Sequence, residues 1–339
     1  MGLASEVSPQ VRSVLHAFGV VPTRVTAHFG NTTSVWRVDT DGPSFVLRRR
    51  AAREADHLGT THHLLRYLAP LAIAPEVHAA PNGEEIVVAD DAIYELLAFL
   101  PGEVSVTGWD FEWDDDTLLA SAAELLARLN VALRDYAPPS SSKWYERTTM
   151  PRRAELKTHL RSQNNEETRA ILDALGLVEA HLRPPPEDRT RRHVVHNDFA
   201  WYNLVRSDRT ATGVIDFDSA QPNTELHDIA YAVYAFAPIN EAIAGRSRSP
   251  SRTAERIATF LRPYEERAGR LPLSAASLLD MAAHRVALSA ASLLGGLVHG
   301  EARAQRLPSH TVGYVTWLGW YQRQRRDLIE AVAAALPGQ

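Results

Sequence analysis

Apolar and polar residues alternate over Arg24 to Phe29, Ser34 to Asp39 and Ser44 to Arg49, and this period of two predicts three antiparallel strands. Gly30-Asn31-Thr32-Thr33 and Thr40-Asp41-Gly42-Pro43 supply the turns between them. Ser8 to Phe18 precedes the strands as a short amphipathic helix, and Glu54 to Leu68, with Leu58, Leu65 and Leu68 near one face, predicts a second. Val77 to Ala80, Glu85 to Ala89 and Ile93 to Phe99 complete a five-stranded lobe, which Leu100-Pro101-Gly102 ends as a hinge.

Beyond the hinge the apolar positions recur mostly at helical spacing. Thr117 to Tyr136 carries Leu118, Ala122, Leu125, Leu129 and Leu133 on one face, and Asp114-Asp115-Asp116 before it suit the positive end of a helix dipole. A mixed-charge helical segment spans Pro151 to Leu182, another helix spans Asp228 to Ala235, and Arg246 to Arg252 is a polar loop. Two or three helices close the chain, the last from Val312 to Ala335 with Tyr314, Trp317, Trp320 and Tyr321 as a core stripe. One stretch breaks the helical pattern. Val194-Val195, Leu204-Val205 and Val214-Ile215 are short buried runs, so a polar loop sits between the first two and a hairpin joins the last two. The expected organisation is α+β and bilobal: an antiparallel β lobe over residues 1–99 and a mainly helical lobe over 100–339.

Composition narrows the class. At 339 residues, 45% hydrophobic and 23% charged, the chain is an ordinary globular one, large enough for two lobes around a cleft. Its net charge of −5 argues against a dedicated nucleic-acid or anionic-membrane surface, and the basic stretch Arg183 to Arg192, broken by prolines and acids, reads as a solvated loop. Without cysteine there is no disulfide, thiol nucleophile or cysteine-ligated zinc, which fits a cytoplasmic protein. Met1 to Gln10 has no signal-peptide pattern, and the apolar Val286 to Val298 is too short to span a bilayer. Lys143 and Lys157 are the only lysines, so any other fixed cation is an arginine.

The candidate chemistry lies in the irregular stretch. Asp198, Asn203 and Asp216 are polar residues held between buried segments at one end of the hairpin, with His196 two residues before Asp198. The spacing His-x-Asp-x-x-x-x-Asn, then Ile215-Asp216-Phe217-Asp218, then Asp228-Ile229-Ala230 resembles the aminoglycoside phosphotransferase-like family of small-molecule kinases, which includes choline and homoserine kinase relatives. The resemblance covers most of the chain, though its specific motifs are confined to residues 196–230.

That resemblance implies a protein-kinase-like fold and transfer of the γ-phosphate of ATP (or GTP) to a hydroxyl of a small molecule, an antibiotic or a metabolite. It makes Asp198 the catalytic base, Asn203 and Asp216 the magnesium ligands and Asp228 a buried support for the loop. Asp218 stands where relatives have glycine or a second acid, and His196 shapes the loop rather than moving protons. Gly30, Asn31 and Thr32 fall where a phosphate-covering loop belongs, and backbone groups around Leu96 and Ala98 are expected to hold adenine. Strand periodicity puts Val46 and Arg48 on one face, Val46 to roof the base and Arg48 to hold phosphates in place of the usual lysine. The family's partner glutamate for that cation falls near Thr61 or His62, where no acid stands, and Glu54 is the substitute in sequence. His62 and His63 diverge by about 100° on a helix and read as surface and boundary residues, not a metal pair. These departures leave a second reading open, a non-catalytic nucleotide-binding pseudokinase or scaffold; the complete Asp198–Asn203–Asp216 set speaks against it.

Overall fold

The structure, a computed structural model, describes residues 8–29, 34–104, 115–144, 153–163, 166–185, 190–236, 249–298 and 308–336. Helix α1 (Pro9–Ala17) begins where Ser8 accepts the N–H of Val11 and Pro9 needs no N–H of its own. Its apolar face, Val11, Val14 and Leu15, is buried against one side of an antiparallel sheet. The strands are β1 (Arg24–Phe29), β2 (Ser34–Asp39), β3 (Phe45–Ala51), β4 (Val77–His78), β5 (Val87–Ala89) and β6 (Ala92–Ala98). They run in the order β1-β2-β3-β6-β4, with β5 also paired to β6. The sheet therefore has six strands, one for each of the six runs named from the sequence, so the total of five was one short; the short β5 pairs with β6 across Asp90-Asp91.

Side chains alternate across this sheet as its period demands. Phe45, Leu47, Tyr94 and Leu96 join the α1 side, whereas Leu97 packs with Leu64, Leu65 and Leu68 of α2 (Ala55–Leu68). The β3–β6 register sets Arg48 directly opposite Glu95, so two charged residues share the inner face.

After the hinge, β7 (Glu103–Val104) pairs with β9 (Leu204–Ser207). Gly102, at φ +141°, permits this approach; a Cβ there would lie 2.5 Å from the Arg206 carbonyl oxygen. The remaining helices are α3 (Asp116–Leu133), α4 (Arg153–Gln163), α5 (Glu166–His181), α6 (Glu225–Phe236), α7 (Pro250–Ala268), α8 (Ala275–Val298) and α9 (Pro308–Ala335). Asp115 caps α3 by accepting the N–H groups of Thr117 and Leu118, and Arg209 pairs with the same carboxylate at 2.6 Å. Of the expected loop at Arg246 to Arg252, residues 246–248 lie outside the described residues and 250–252 are the first turn of α7, because Ser249 caps that turn and Pro250 occupies it.

Helix α8 runs 24 residues, longer than the apolar core Val286 to Val298 suggested, and reaches the length of a membrane span at a mean hydropathy of 1.4. Its most apolar window is 72% buried inside the fold, which accounts for that hydropathy as helix core. Trp317 and Tyr321 of α9 are fully buried and stacked at 5.4 Å, so these two members of the aromatic stripe are core.

Candidate active site

The polar loop is framed by β8 (Arg192–Val195), which pairs with β11 (Gln221–Thr224), and by the hairpin of β9 with β10 (Thr210–Val214). These rigid edges fix both ends of residues 196–203. His196 is fully buried, donates from Nε2 to the Ile215 carbonyl at 3.1 Å and accepts the Asp198 N–H at Nδ1 at 3.3 Å. One donated and one accepted bond define a neutral imidazole, and burial lowers its pKa further.

Asn197 adopts φ +64°, a region that asparagine tolerates better than most residues. Its peptide is gripped from both sides. Asp228 Oδ1 accepts the Asn197 N–H at 2.7 Å, and Arg285 Nη2 of α8 donates to the Asn197 carbonyl at 2.7 Å. Burial pushes the Asp228 carboxyl up to about 7, against the pull of that N–H and of Arg285.

Asp198 follows, and each of its carboxylate oxygens has a donor: Tyr202 Oη to Oδ1 at 2.9 Å and Asn203 Nδ2 to Oδ2 at 3.0 Å. Asn203 Nδ2 also reaches the Asp198 main-chain oxygen at 2.9 Å. Since Nδ2 faces two acceptors, the amide orientation of Asn203 is set by chemistry, and its Oδ1 remains as the oxygen able to meet a cation.

Asp216 lies beyond β10 at φ +63°, and the Ile215 N–H donated to Asn203 oxygen at 2.9 Å ties that turn to the loop. Arg48 of β3 spans the cleft, with Nη2 3.1 Å from Asp216 Oδ1 and 2.9 Å from Asp218 Oδ2. Arg50, on the same strand face, donates to Asp218 Oδ1 and to Glu95 Oε1, each at 2.6 Å. Both oxygens of Asp218 are thus engaged by arginines. Against the cost of burial, Arg48 and Arg50 hold Asp218 well below the usual carboxylate range. Asp216 is pushed the other way, above the usual carboxylate range, by burial and then by the charge of Asp218, with Arg48 opposing.

Hard oxygen donors are what magnesium requires, and Asp216 with Asn203 Oδ1 supply one carboxylate and one carbonyl. Among the described residues no group of three or more His, Cys, Asp or Glu could hold a metal by itself. The donor set therefore fits a sparse site completed by water and nucleotide oxygens, not an all-protein cage.

Several expectations need correction. Glu54 does not serve Arg48; it lies 3.4 Å from Arg50, while the acids of Arg48 are Asp218, Asp216 and, at 3.5 Å, Glu95. The helix position without an acid holds His62, which is fully buried, not superficial, and donates to Glu95 at 2.9 Å. Glu95 and Arg50 were missed as site residues. An acid inside the apolar run Ala92 to Ala98, and the period-two continuation from Arg48, were the available signals. Arg49 is exposed on the opposite face, as the strand register requires.

Leu96 is fully buried on the α1 side of a strand paired on both edges, away from the cleft, and the Ala98 N–H is already given to Glu76 oxygen at 2.8 Å. The Ala98 N–H is thus engaged within the lobe, and the expected adenine contact falls to the other main-chain groups around Leu96 and Ala98. Val46 is partly exposed on the Arg48 face. Gly30, Asn31 and Thr32 lie outside the described residues.

Comparison with known proteins now has geometry to rest on. Among solved structures, the amicoumacin kinase hAmiN in complex with AMP-PNP, Ca2+ and Ami superposes at a TM-score of 0.63 with 16% identity, covering 88% of this chain and 92% of that one. A microcompartment-associated aminopropanol kinase gives 0.61 with 17% identity over 95% and 98%. Spectinomycin phosphotransferase APH(9)-Ia, in complex with ADP and spectinomycin, gives 0.55 with 12% identity over 98% and 99%. At these identities they establish a shared kinase-like fold. No curated protein matches the chain in sequence. Residues 25–270 match the phosphotransferase enzyme family, APH, and the chain belongs to it. It is an ATP-dependent small-molecule phosphotransferase.

Proposed function

We propose that this enzyme transfers the γ-phosphate of a magnesium-bound ATP or GTP to a hydroxyl group of a small antibiotic or metabolite. The observation that carries the reading is the Asp198 carboxylate, held at both oxygens beside Asn203 and Asp216. In this reading Asp198 accepts the proton of the acceptor hydroxyl. The freed oxygen forms the new bond to the γ-phosphorus, the bond to the β–γ bridging oxygen breaks, and the nucleoside diphosphate leaves.

Asp216 and Asn203 would hold the magnesium, which when bound neutralises phosphate charge. Arg48 meets the phosphates from β3, and Val46 on the same face covers the base. Trp201 packs against Tyr202, and Tyr231 and Tyr234 carry the aromatic contacts from there into the helical core.

The test is a phosphate-transfer screen of hydroxylated antibiotics and metabolites with magnesium nucleotide, run beside Asp198→Asn. A phosphorylated product made by the parent and not by the variant supports the reading. Nucleotide binding with no transfer to any acceptor and no hydrolysis would favour the non-catalytic alternative.

A further inference from the structure

We propose that Tyr202 is a positioning residue for Asp198, and that Tyr231 acts on the base only through Tyr202. The inference rests on the reading of Asp198 as the base and concerns how that base is aimed.

Proton counting gives the two phenols a direction. An ionised Asp198 has no proton to offer, so the 2.9 Å contact uses the single proton of Tyr202. The Tyr202 and Tyr231 hydroxyl oxygens are 2.8 Å apart, and with its proton already committed Tyr202 can only accept from Tyr231. The chain therefore runs from Tyr231 to Tyr202 to Asp198.

The effect is geometric. A carboxylate turns about its last torsion in a broad well, and a single donor leaves that rotation soft. Asn203 pins Oδ2 and Tyr202 pins Oδ1, leaving one lone pair on each oxygen for the acceptor hydroxyl. Tyr202 is itself fixed by its place on the short turn Trp201–Asn203 and by edge contact with Trp201, centroids 4.9 Å apart. Tyr231 sits on α6, one turn after Asp228, and its ring lies 4.7 Å below the Arg285 guanidinium. Helices α6 and α8 thus hold the main chain before the base through Asp228 and Arg285, and its side chain through Tyr231 and Tyr202.

The experiment uses the full chain with magnesium ATP in excess and water as the acceptor, at enzyme concentrations where steady-state hydrolysis is measurable, and records thermal unfolding of each variant. Tyr202→Phe should lower kcat about tenfold, the effect of one hydrogen bond to a charged group, with the nucleotide KM unchanged. Tyr231→Phe should lose less, and nothing further when added to Tyr202→Phe. Parental kcat in Tyr202→Phe, or fully additive losses in the double variant, would overturn the proposal while a slowed Asp198→Asn keeps the base reading intact. An unslowed Asp198→Asn would overturn both. If Tyr202→Phe does not fold, Tyr231→Phe decides: a lower kcat at constant nucleotide KM supports the chain, and parental kcat overturns it.

Discussion

His62 of α2 donates to Glu95 of β6 at 2.9 Å, and both side chains are about 1% exposed. Glu95 also accepts Arg50 at 2.6 Å and faces Arg48 across the β3–β6 ladder. The acid that orients the strand arginines is therefore on the sheet, and the helix reaches it through an imidazole. A buried carboxylate with two arginines and a histidine around it is retained only because each charge has a partner.

The first consequence separates three adjacent arginines. Arg50→Ala should destabilise the fold by about 3–5 kcal/mol, because it strips the buried Glu95 of its closest cation. Arg49→Ala, on the exposed face, should change stability by less than about 0.5 kcal/mol. Arg48→Ala should mainly weaken nucleotide affinity, with Arg48→Lys recovering part of it as a point charge. Urea unfolding and nucleotide titration of the three variants decide the matter. Wild-type affinity in Arg48→Ala would remove it from the phosphate site.

Glu95 also sets a pH dependence. Against the cost of burial, Arg50 and Arg48, with His62, bring its carboxyl down to about 2 from its ordinary 4.5. A depressed folded-state pKa means the unfolded chain binds the proton first, so this stability is present above about 4.5 and is lost as pH falls toward 2. The shift corresponds to about 3 kcal/mol. Chemical unfolding between pH 5 and pH 3 should show stability falling with acid, and Glu95→Gln should flatten that slope. An equal slope in the variant would assign the acid sensitivity elsewhere.

Asp216→Ala should abolish most of the effect of magnesium on nucleotide affinity, since it removes the one carboxylate of the proposed metal pair. Titrations with and without the metal are the measurement. A metal effect of parental size in the variant would exclude Asp216 as a ligand.

Arg285→Met should leave nucleotide affinity near normal while lowering turnover by roughly tenfold or more, because small displacements of a catalytic group are costly. Its hydrogen bond to Asn197 is the contact that places Asp198 from the α8 side. Turnover and unfolding measured together separate the effects: parental turnover in a folded variant would show that Asp228 alone holds the loop.

Removing the carboxylate itself should matter most. Asp198→Asn should cut turnover on the order of 10²–10⁴-fold with the fold and nucleotide affinity retained. Full activity in that variant would end the case for Asp198 as base.

By itself, the sequence determined what local periodicity and short spacings control. The alternation of Arg24 to Arg49 predicted β1 to β3 almost to the residue, and His196, Asp198, Asn203, Asp216 and Asp228 all fall within 33 residues joined by one hairpin. Strand parity likewise placed Arg48 and Arg49 on opposite faces. Only tertiary structure decided which acid meets which arginine. Glu95 lies 45 residues from Arg50, Asp218 lies 168, and nothing local links them. His62 looked superficial because helical spacing reveals a face, not what covers it, and β6 buries that face with a carboxylate. Tyr231, Arg285 and the hold they exert on the base were illegible for the same reason: each is an ordinary core residue of its helix until α6 and α8 pack beside the loop.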